Sequence, residues 1–496
     1  MKQTPLTGID DMAFHIPRLY LPIEILARHR NLDCGKLKDG LGLEAMSLTD
    51  VHEDAATMAA NAARKLIEKN KLSPQEIGRI YVGSESLVDG AKPLASYVLA
   101  MLSDYFNPEY GPHAFLHTDV VDMTFACIGG VDALHNTLDW VRLGENRTAI
   151  VICTDNARYE LGSTGEYTQG AGAVALLIRQ KPRLLAIEEP VGVAAVSEHD
   201  FFKPLRRISR DKLPDGFAFP FLSDKEAYLD IHKIFPVFDG PYSNTCYANR
   251  LKQAYMHFSR LKARHKLSDW GRIVFHLPYA FHGKRMFPEI FLEEYIRNPE
   301  LRKQLLEEDP SFPENKSLKT VAKTPLYQQF VREKIEKGQR ASSLTGNLYT
   351  GSVFLSLMSL LESDLRDGTP LENMRVGFCT YGSGSKSKVF EGVVQKEWKP
   401  IVDKFGLFDA LLQRTPIDFD VYEALHSGSI TESILPPEDE FYLKSVATAE
   451  PLYGVRTYAF AAPKAGATKG RAQMTESGKA ANSDCGITRQ SVTRHH

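Results

Sequence analysis

Across 496 residues there is no long apolar run, no Cys-x-x-Cys pair and no excess of charge of either sign. The longest apolar stretches, Ala149–Cys153 and Ala171–Ile178, fall far short of the ~20 residues that a membrane helix needs. A membrane is therefore not an expected partner. Lysine and arginine number 60 against 62 aspartate and glutamate, a formal net charge of −2. Without a global basic field, nucleic acid is not an expected partner either. The cysteines (Cys34, Cys127, Cys153, Cys246, Cys379 and Cys485) are scattered, which excludes a compact zinc ribbon and gives no sign of a disulfide framework. The stretch from Met1 to Phe14 carries acids and a proline but no apolar signal core, so a soluble, cytoplasmic protein is expected.

What is present is alternation. Short apolar runs at Arg79–Val82, Val120–Met123 and Ala149–Cys153 read as strands, and Asp54–Lys69 and Gly129–Val141 repeat apolar residues at helical spacing. That pattern predicts an α/β fold with a largely parallel sheet. The order of elements also occurs twice. GRIYV (Gly78–Val82), DMTFACIGGVDALHNTLDWV (Asp122–Val141) and TAIVICTD (Thr148–Asp155) have counterparts in GRIVF (Gly271–Phe275), TGNLYTGSVFLSLMSLLE (Thr345–Glu362) and MRVGFCTYGSG (Met374–Gly384). Each set reads strand, small-residue turn, helix, strand. A duplication would bring the loops after equivalent strands into one cleft, at the carboxyl ends of the strands where ligands collect. The expected division is residues 1–190 and 191–463, followed by a Gly-, Ser- and Lys-rich tail, 464–496, too poor in apolar residues to order itself. The charge-rich stretch 297–343, with Pro310, Pro313 and Pro325, reads as a partly helical, solvated insertion in the second half.

Four places could carry chemistry. Cys127 follows an apolar strand and precedes Gly129 and Gly130 at the start of a helix, where the positive helix end favours a thiolate; the alternative is a structural core cysteine. Glu85, in VGSESLVDG, lies just past a strand, where partial desolvation would raise it toward the strength of a base; a solvated loop acid is the plainer reading. His276 ends the strand IVF and could act as an acid or orient a carbonyl, or be a satisfied core histidine. The loop Tyr381–Ser385, with Gly382 and Ser383, could hold an oxyanion on its backbone N–H groups. Cys153 and Cys379 sit in apolar strands and read as core. His113 and His117 have i,i+4 spacing but no evident acidic third ligand, so no metal site is expected.

Together these segments resemble the 3-hydroxy-3-methylglutaryl-CoA synthase family of the thiolase superfamily. The resemblance runs from about Gly8 to Lys396, through GSES (Gly83–Ser86), DMTFACIGG (Asp122–Gly130), STGEYTQGAGAVALLI (Ser163–Ile178) and DFFKP (Asp200–Pro204). It continues in PVFDGPYSNTCY (Pro236–Tyr247), FHLPY (Phe275–Tyr279), GNLYTGS (Gly346–Ser352) and YGSG (Tyr381–Gly384). The family implies two related halves in a five-layered αβαβα fold, usually a homodimer, and an acyltransferase of the mevalonate pathway. It implies that Cys127 takes acetyl from acetyl-CoA and that Glu85 deprotonates the acetyl methyl. The carbanion then adds to acetoacetyl-CoA, positioned by His276 and Asn347, and water releases the product. The backbone N–H of Cys127 and the Gly382–Ser383 loop would hold the oxyanion, with Tyr349, Asp155 and Asp200 in support. Acyl transfer and aldol addition imply no metal or redox cofactor.

Two positions depart from the family pattern: Ile128 replaces the usual tyrosine and Phe281 a usual lysine. Lys284 and Arg285 still match basic positions and are the expected, weaker contacts to the CoA phosphates. The missing lysine leaves open an acyl carrier protein as substrate carrier, as in polyketide β-branching synthases. A non-catalytic thiolase-fold binding protein is the alternative from another class; the joint presence of Cys127, Glu85 and His276 speaks against it.

Overall fold

A computed structural model describes residues 5–214, 225–263, 265–308, 310, 318–449 and 451–463. The expected disordered tail, 464–496, lies outside them. Nine strands form the main sheet: β1 Thr7–His15, β2 Ile77–Gly83, β3 Asp119–Met123, β4 Thr148–Ala157, β5 Gly170–Gln180, β6 Leu185–Ala195, β7 Arg272–Phe275, β8 Arg375–Gly382 and β9 Lys386–Val394. Their order is β7-β8-β9-β6-β1-β5-β4-β2-β3.

The pairing repeats on either side of the β1–β6 seam. In the first half β2 lies parallel to β4, and β4 antiparallel to β5, which pairs antiparallel with β1. In the second, β7 lies parallel to β8, and β8 antiparallel to β9, which pairs antiparallel with β6. The two halves join where Gly8 faces Ala186 and Ile9 faces Leu185. A Cβ at residue 8 would stand 2.0 Å from the Leu185 carbonyl oxygen, so only glycine lets the seam close.

Side-chain alternation then builds the layers. On β4, Ala149, Val151 and Cys153 turn into one apolar core, while Ile150 and Ile152 turn into another. The first core also takes Val274, Val376, Phe378 and Phe390 from the second half, and encloses helices Gly129–Arg142 and Ser352–Arg366. On the outer face of the first half lie helices Ala55–Asn70 and Leu94–Tyr110. Helix Gly240–Leu261 packs on the outer face of the second. Helix, sheet, helix, sheet, helix is the five-layered order. The Ala-rich face of Ala55–Asn70 (Ala56, Ala59, Ala60, Ala63) lets that helix approach the sheet closely. Its start is fixed by Asp54, whose carboxylate accepts from the Thr57 N–H at 2.9 Å while Thr57 Oγ1 accepts from the Asp54 N–H at 2.8 Å. Such a cap contributes about 1 kcal/mol.

Two expectations need correction. The sheet is not largely parallel: among its eight strand pairings β2–β3, β2–β4 and β7–β8 are parallel and the other five antiparallel, because each half returns through β5 or β9 and the halves meet at the antiparallel β1–β6 seam. The run Val120–Met123 is a strand, as expected, at the sheet edge, with Val121 exposed. The stretch 297–343 is not merely a solvated surface. Its helices Pro299–Glu308, Pro325–Lys334 and Glu336–Thr345 carry charge outward but bury Leu305, Tyr327 and Val331 in the second half's outer core. Charge density along a sequence does not reveal that one helical face is apolar. Pro325 opens its helix, where a proline lacks nothing that the helix needs. Cys153 and Cys379 are fully buried, as expected. Among the described residues no helix is long and apolar enough to cross a membrane.

Candidate active site

Two glycines and a left-handed alanine set the position of Cys127. A Cβ on Gly83 would fall 2.4 Å from the Gly130 backbone, and one on Gly130 would fall 2.3 Å from Cys153 Sγ. The end of β2 can therefore lie directly against the first turn of helix Gly129–Arg142. Just before the nucleophile, Ala126 adopts φ +42°, a left-handed conformation that turns the chain sharply between β3 and the helix. As a result Cys127 and Glu85, which leaves β2 two residues after Gly83, meet at one point. The thiol Sγ donates to Glu85 Oε1 at 3.0 Å.

The surroundings are apolar. Cys127, 8% exposed, packs with Ala157, Tyr159 and Tyr349, and Phe201 and Phe238 close the nest. Burial raises Glu85 to about 7; the Lys203 ammonium, 3.7 Å from Oε2, opposes the rise and the Asp155 carboxylate adds to it. Burial and then Glu85 push the Cys127 thiol well above its ordinary value. The expectation of a resting thiolate is thereby corrected. A helix terminus contributes a fraction of a charge, whereas burial removes the solvation of a whole one and Glu85 adds a like charge. At rest, sulfur keeps its proton and points it at a carboxylate.

Asp155, at the end of β4, ties this corner together. Its Oδ1 accepts from Ser84 Oγ (3.2 Å), the Glu85 N–H (2.9 Å) and Ser86 Oγ (2.8 Å). Its Oδ2 accepts from the Thr350 N–H (3.0 Å) and Thr350 Oγ1 (2.5 Å), in the second half. The next residue back, Tyr349, holds φ +40°, and its N–H donates to Asn347 Oδ1 at 2.8 Å. That bond uses the Asn347 carbonyl and leaves the side-chain nitrogen as the group it can offer.

His276 follows β7 and is 2% exposed. Burial drops it to about 3, opposed only by a backbone hydrogen bond at Tyr349, so the imidazole is neutral near pH 7. Tyr349 thus links the two: its ring packs with Cys127, its backbone bonds His276. On the other side, Asp200 fixes the Gly-rich loop. It accepts from Tyr381 OH at 2.6 Å and from the Gly384 N–H at 2.8 Å. A Cβ on Gly382 would meet Phe125 O at 2.6 Å and Ile128 N at 2.8 Å, so the loop carrying Ser383 lies against the Cys127 turn. Cys127, Glu85, Asn347, Tyr349, His276, Asp155, Asp200 and the Gly382–Ser383 loop are brought together.

Lys284 and Arg285 are less engaged. A cavity of about 960 Å³ opens beside Glu85, walled by Ala126, Phe201, Lys203 and Arg158 among others, and neither Lys284 nor Arg285 lines it. Lys284 instead lays its ammonium 3.2 Å from the centre of the Phe281 ring, a cation–π contact, and Arg285 is exposed. Phe281 thus occupies Lys284 in place of the lysine it replaces. Ile128 is fully buried in the central core. His113 and His117 are exposed. Sequence reasoning missed Lys203, Tyr159 and Phe238. Lys203 lay in the quoted DFFKP, but nothing local shows that it spans to Glu85.

With this geometry in place, comparison with known proteins is informative. The family models for the hydroxymethylglutaryl-coenzyme A synthase N terminal and C terminal match residues 4–182 and 227–426. The hydroxymethylglutaryl-CoA synthase of Haloferax volcanii is 32% identical over 460 residues, covering 88% of this chain and 95% of the relative. That of Enterococcus faecalis is 28% identical, covering 86% and 93%. Among solved structures, MvaS in complex with 3-hydroxy-3-methylglutaryl coenzyme A superposes with a TM-score of 0.75 at 28% identity, covering 92% of this chain and 100% of that one. The curacin pathway HMG synthase in complex with apo donor-ACP, at 20% identity and a TM-score of 0.69, shares the fold.

Proposed function

The chain belongs to the hydroxymethylglutaryl-CoA synthase family, and from that membership we propose that it condenses acetyl-CoA with acetoacetyl-CoA and water. The products are 3-hydroxy-3-methylglutaryl-CoA, the feedstock of mevalonate and isoprenoid synthesis, and free CoA. The observation that carries the reading is the Cys127 thiol hydrogen-bonded at 3.0 Å to a buried carboxylate of pKa about 7. One group is a nucleophile that can carry an acyl, and the other a base poised near operating pH.

The steps follow from that pair. Cys127 sulfur attacks the acetyl thioester as its proton passes to Glu85; CoA sulfur leaves and takes up a proton. The acetyl methyl then lies in the nest of Tyr159, Phe201, Phe238 and Tyr349, away from water. Glu85 removes a methyl proton, and N–H groups at Cys127 and the Ser383 loop hold the enolate oxygen. The new C–C bond forms at the β-ketone of acetoacetyl-CoA. Neutral His276 and the Asn347 amide polarise that ketone by hydrogen bonds rather than through an imidazolium. Water then cleaves the Cys127 thioester, leaving the free carboxylate of the product and the thiol. The chemistry transfers no electrons overall, so the reading includes no redox cofactor. Lys203 tempers Glu85, and Asp155 and Asp200 position the loops.

A homodimer accompanies this reading, with the open edge of β3 as the surface that supports it; the five described cysteines, none of them in a disulfide, fit a reducing cytoplasm. The test offers purified protein acetyl-CoA or acetyl-carrier protein, each with acetoacetyl-CoA, and follows acetylation of Cys127 and product by mass. Acetyl-CoA should support both. Turnover with the carrier protein alone would move the chain to the β-branching class, and no acetylation from either would remove the reading.

A further inference from the structure

Tyr159, whose ring walls the Cys127 nest, lies two residues past the last sheet pairing of β4, where Ala157 faces Gly170. Its backbone groups are buried and must find partners outside the ladder. Side chains take both. The N–H donates to Gln169 Oε1 at 2.8 Å, and the C=O accepts from His426 Nε2 at 2.7 Å. His426, which the mechanism leaves unused, belongs to helix Phe419–Ser427 and stands 267 residues further along the chain. The hold is reciprocal, because the Arg158 guanidinium donates to the His426 carbonyl. The Gln169 bond leads to the same helix. Gln169 Nε2 donates to Tyr422 OH at 2.7 Å, and that hydroxyl donates at 2.9 Å to Glu166, which Arg30 grips in two bonds of 2.8 Å. The Phe235 ring stacks on His426 with centroids 5.2 Å apart and fixes the plane of the imidazole. One helix thus holds Tyr159 by both of its backbone groups.

We infer that His426 is a positioning residue for Tyr159, and that through Tyr159 it sets the size of the acyl group that Cys127 accepts. A carbonyl can only accept, so His426 Nε2 carries the proton. The Tyr159 ring is tightly packed: a Cβ at residue 165 would stand 2.2 Å from it, and Phe238 and Phe201 meet it edge-on, with centroids at 5.4 and 6.2 Å. A ring so crowded does not swing about its own side-chain bonds; it moves when its backbone moves. Arg158 and His426 also line the cavity beside Glu85, which gives that backbone room to shift. Without the His426 bond, an unpaired Tyr159 carbonyl is drawn toward the solvent of the cavity, the ring withdraws from Cys127, and the nest widens. An acetyl methyl has no polar handle, so fit alone discriminates it. One further methylene in a fitted apolar pocket is worth about 10- to 200-fold.

The inference rests on the proposed acylation of Cys127, and the experiment separates the two. In full-length protein, acylation of Cys127 by acetyl-CoA and by propionyl-CoA is followed by mass, and the ratio of the two rate constants is read. His426→Ala should lower the preference for acetyl by about tenfold. His426→Gln, whose amide N–H can reach the same carbonyl, should keep most of that preference. A helix that only braced the fold would slow both thioesters alike in His426→Ala. An unchanged ratio would therefore overturn the inference, as would equal losses of preference in the alanine and glutamine variants. Should His426→Ala not fold, Tyr422→Phe reads the same hold through Gln169: a fall in the ratio supports the inference and an unchanged ratio overturns it. If the wild-type chain takes an acyl group from neither thioester, the proposed function fails. Alkylation of Cys127 by iodoacetamide and by the bulkier N-ethylmaleimide then decides this point without CoA. His426→Ala should shift the relative rates toward the bulkier reagent, and unshifted rates would overturn the inference.

Discussion

Glu85 should cost the protein stability, and the cost should depend on pH. Its carboxyl titrates near 7 in the folded protein against 4.5 when unfolded. Below pH 4.5 both states hold the proton and nothing is lost. Between the two values the unfolded chain ionises and the folded one does not, so stability falls as pH rises; above 7 the deficit is constant at about 3 kcal/mol, from 2.3RT per unit of difference. Between pH 5 and pH 8 the change is about 2–3 kcal/mol by the same linkage. Glu85→Gln removes the ionisation while keeping the shape. Urea unfolding of both proteins at pH 5 and pH 8 should therefore show the variant gaining about 2–3 kcal/mol relative to wild type at the higher pH. Effects on packing or on the Cys127 hydrogen bond are present at both pH values and subtract out. A gain of less than about 0.5 kcal/mol would mean that Glu85 titrates as an ordinary carboxylate. The base assignment would fall with it.

Three further outcomes bear on the roles. Cys127→Ala should abolish both acetyl labelling and condensation, because no other group in the nest can carry an acyl. Glu85→Ala should still acquire radiolabelled acetyl at Cys127, more slowly now that the thiol has lost its acceptor, yet lose condensation by roughly 10²–10⁴; unimpaired condensation would place the base elsewhere. Lys203→Met should move the acidic limb of the kcat/KM profile upward from about pH 7, since the ammonium favours the Glu85 carboxylate; an unmoved limb would show the 3.7 Å contact to be electrostatically idle.

Position along the chain nominated Cys127, Glu85 and His276, because a residue just past a strand in an α/β fold has few places to point, but it left a plainer reading open for each, and their roles came from the family resemblance. The repeated order of GRIYV and GRIVF, with their following helices, likewise became the paired halves of the sheet. What stayed hidden depends on separation or on solvent. Lys203 meets Glu85 across more than a hundred residues, and Phe238 reaches Cys127 across a similar span. The protonated thiol was hidden for another reason: a helix start is visible in a sequence, but the depth of burial that overrides it is not. The buried face of 297–343 was masked by the charges on its other side.

Asp155 shows how the two halves become one site. It is fully buried, and its two oxygens serve different halves: Oδ1 the Ser84–Ser86 loop that carries Glu85, Oδ2 Thr350 beside Tyr349. Burial raises its pKa, and the donors from Thr350, Glu85 and Ser86 oppose the rise. Every one of these partners can donate, so only a group that accepts on both sides fits. Asparagine accepts on one. Asp155→Asn must turn an NH₂ toward either the Glu85 N–H or the Thr350 N–H, leaving a buried donor unpaired at about 1–3 kcal/mol. Whichever way the amide turns, one wall of the site moves relative to the other. Acetylation and condensation should therefore decline together, unlike in Glu85→Ala, and the melting temperature should fall with them. If Asp155→Asn loses condensation alone, with acetylation and stability intact, Asp155 acts on the reacting atoms and the reading of it as a tie between halves is wrong.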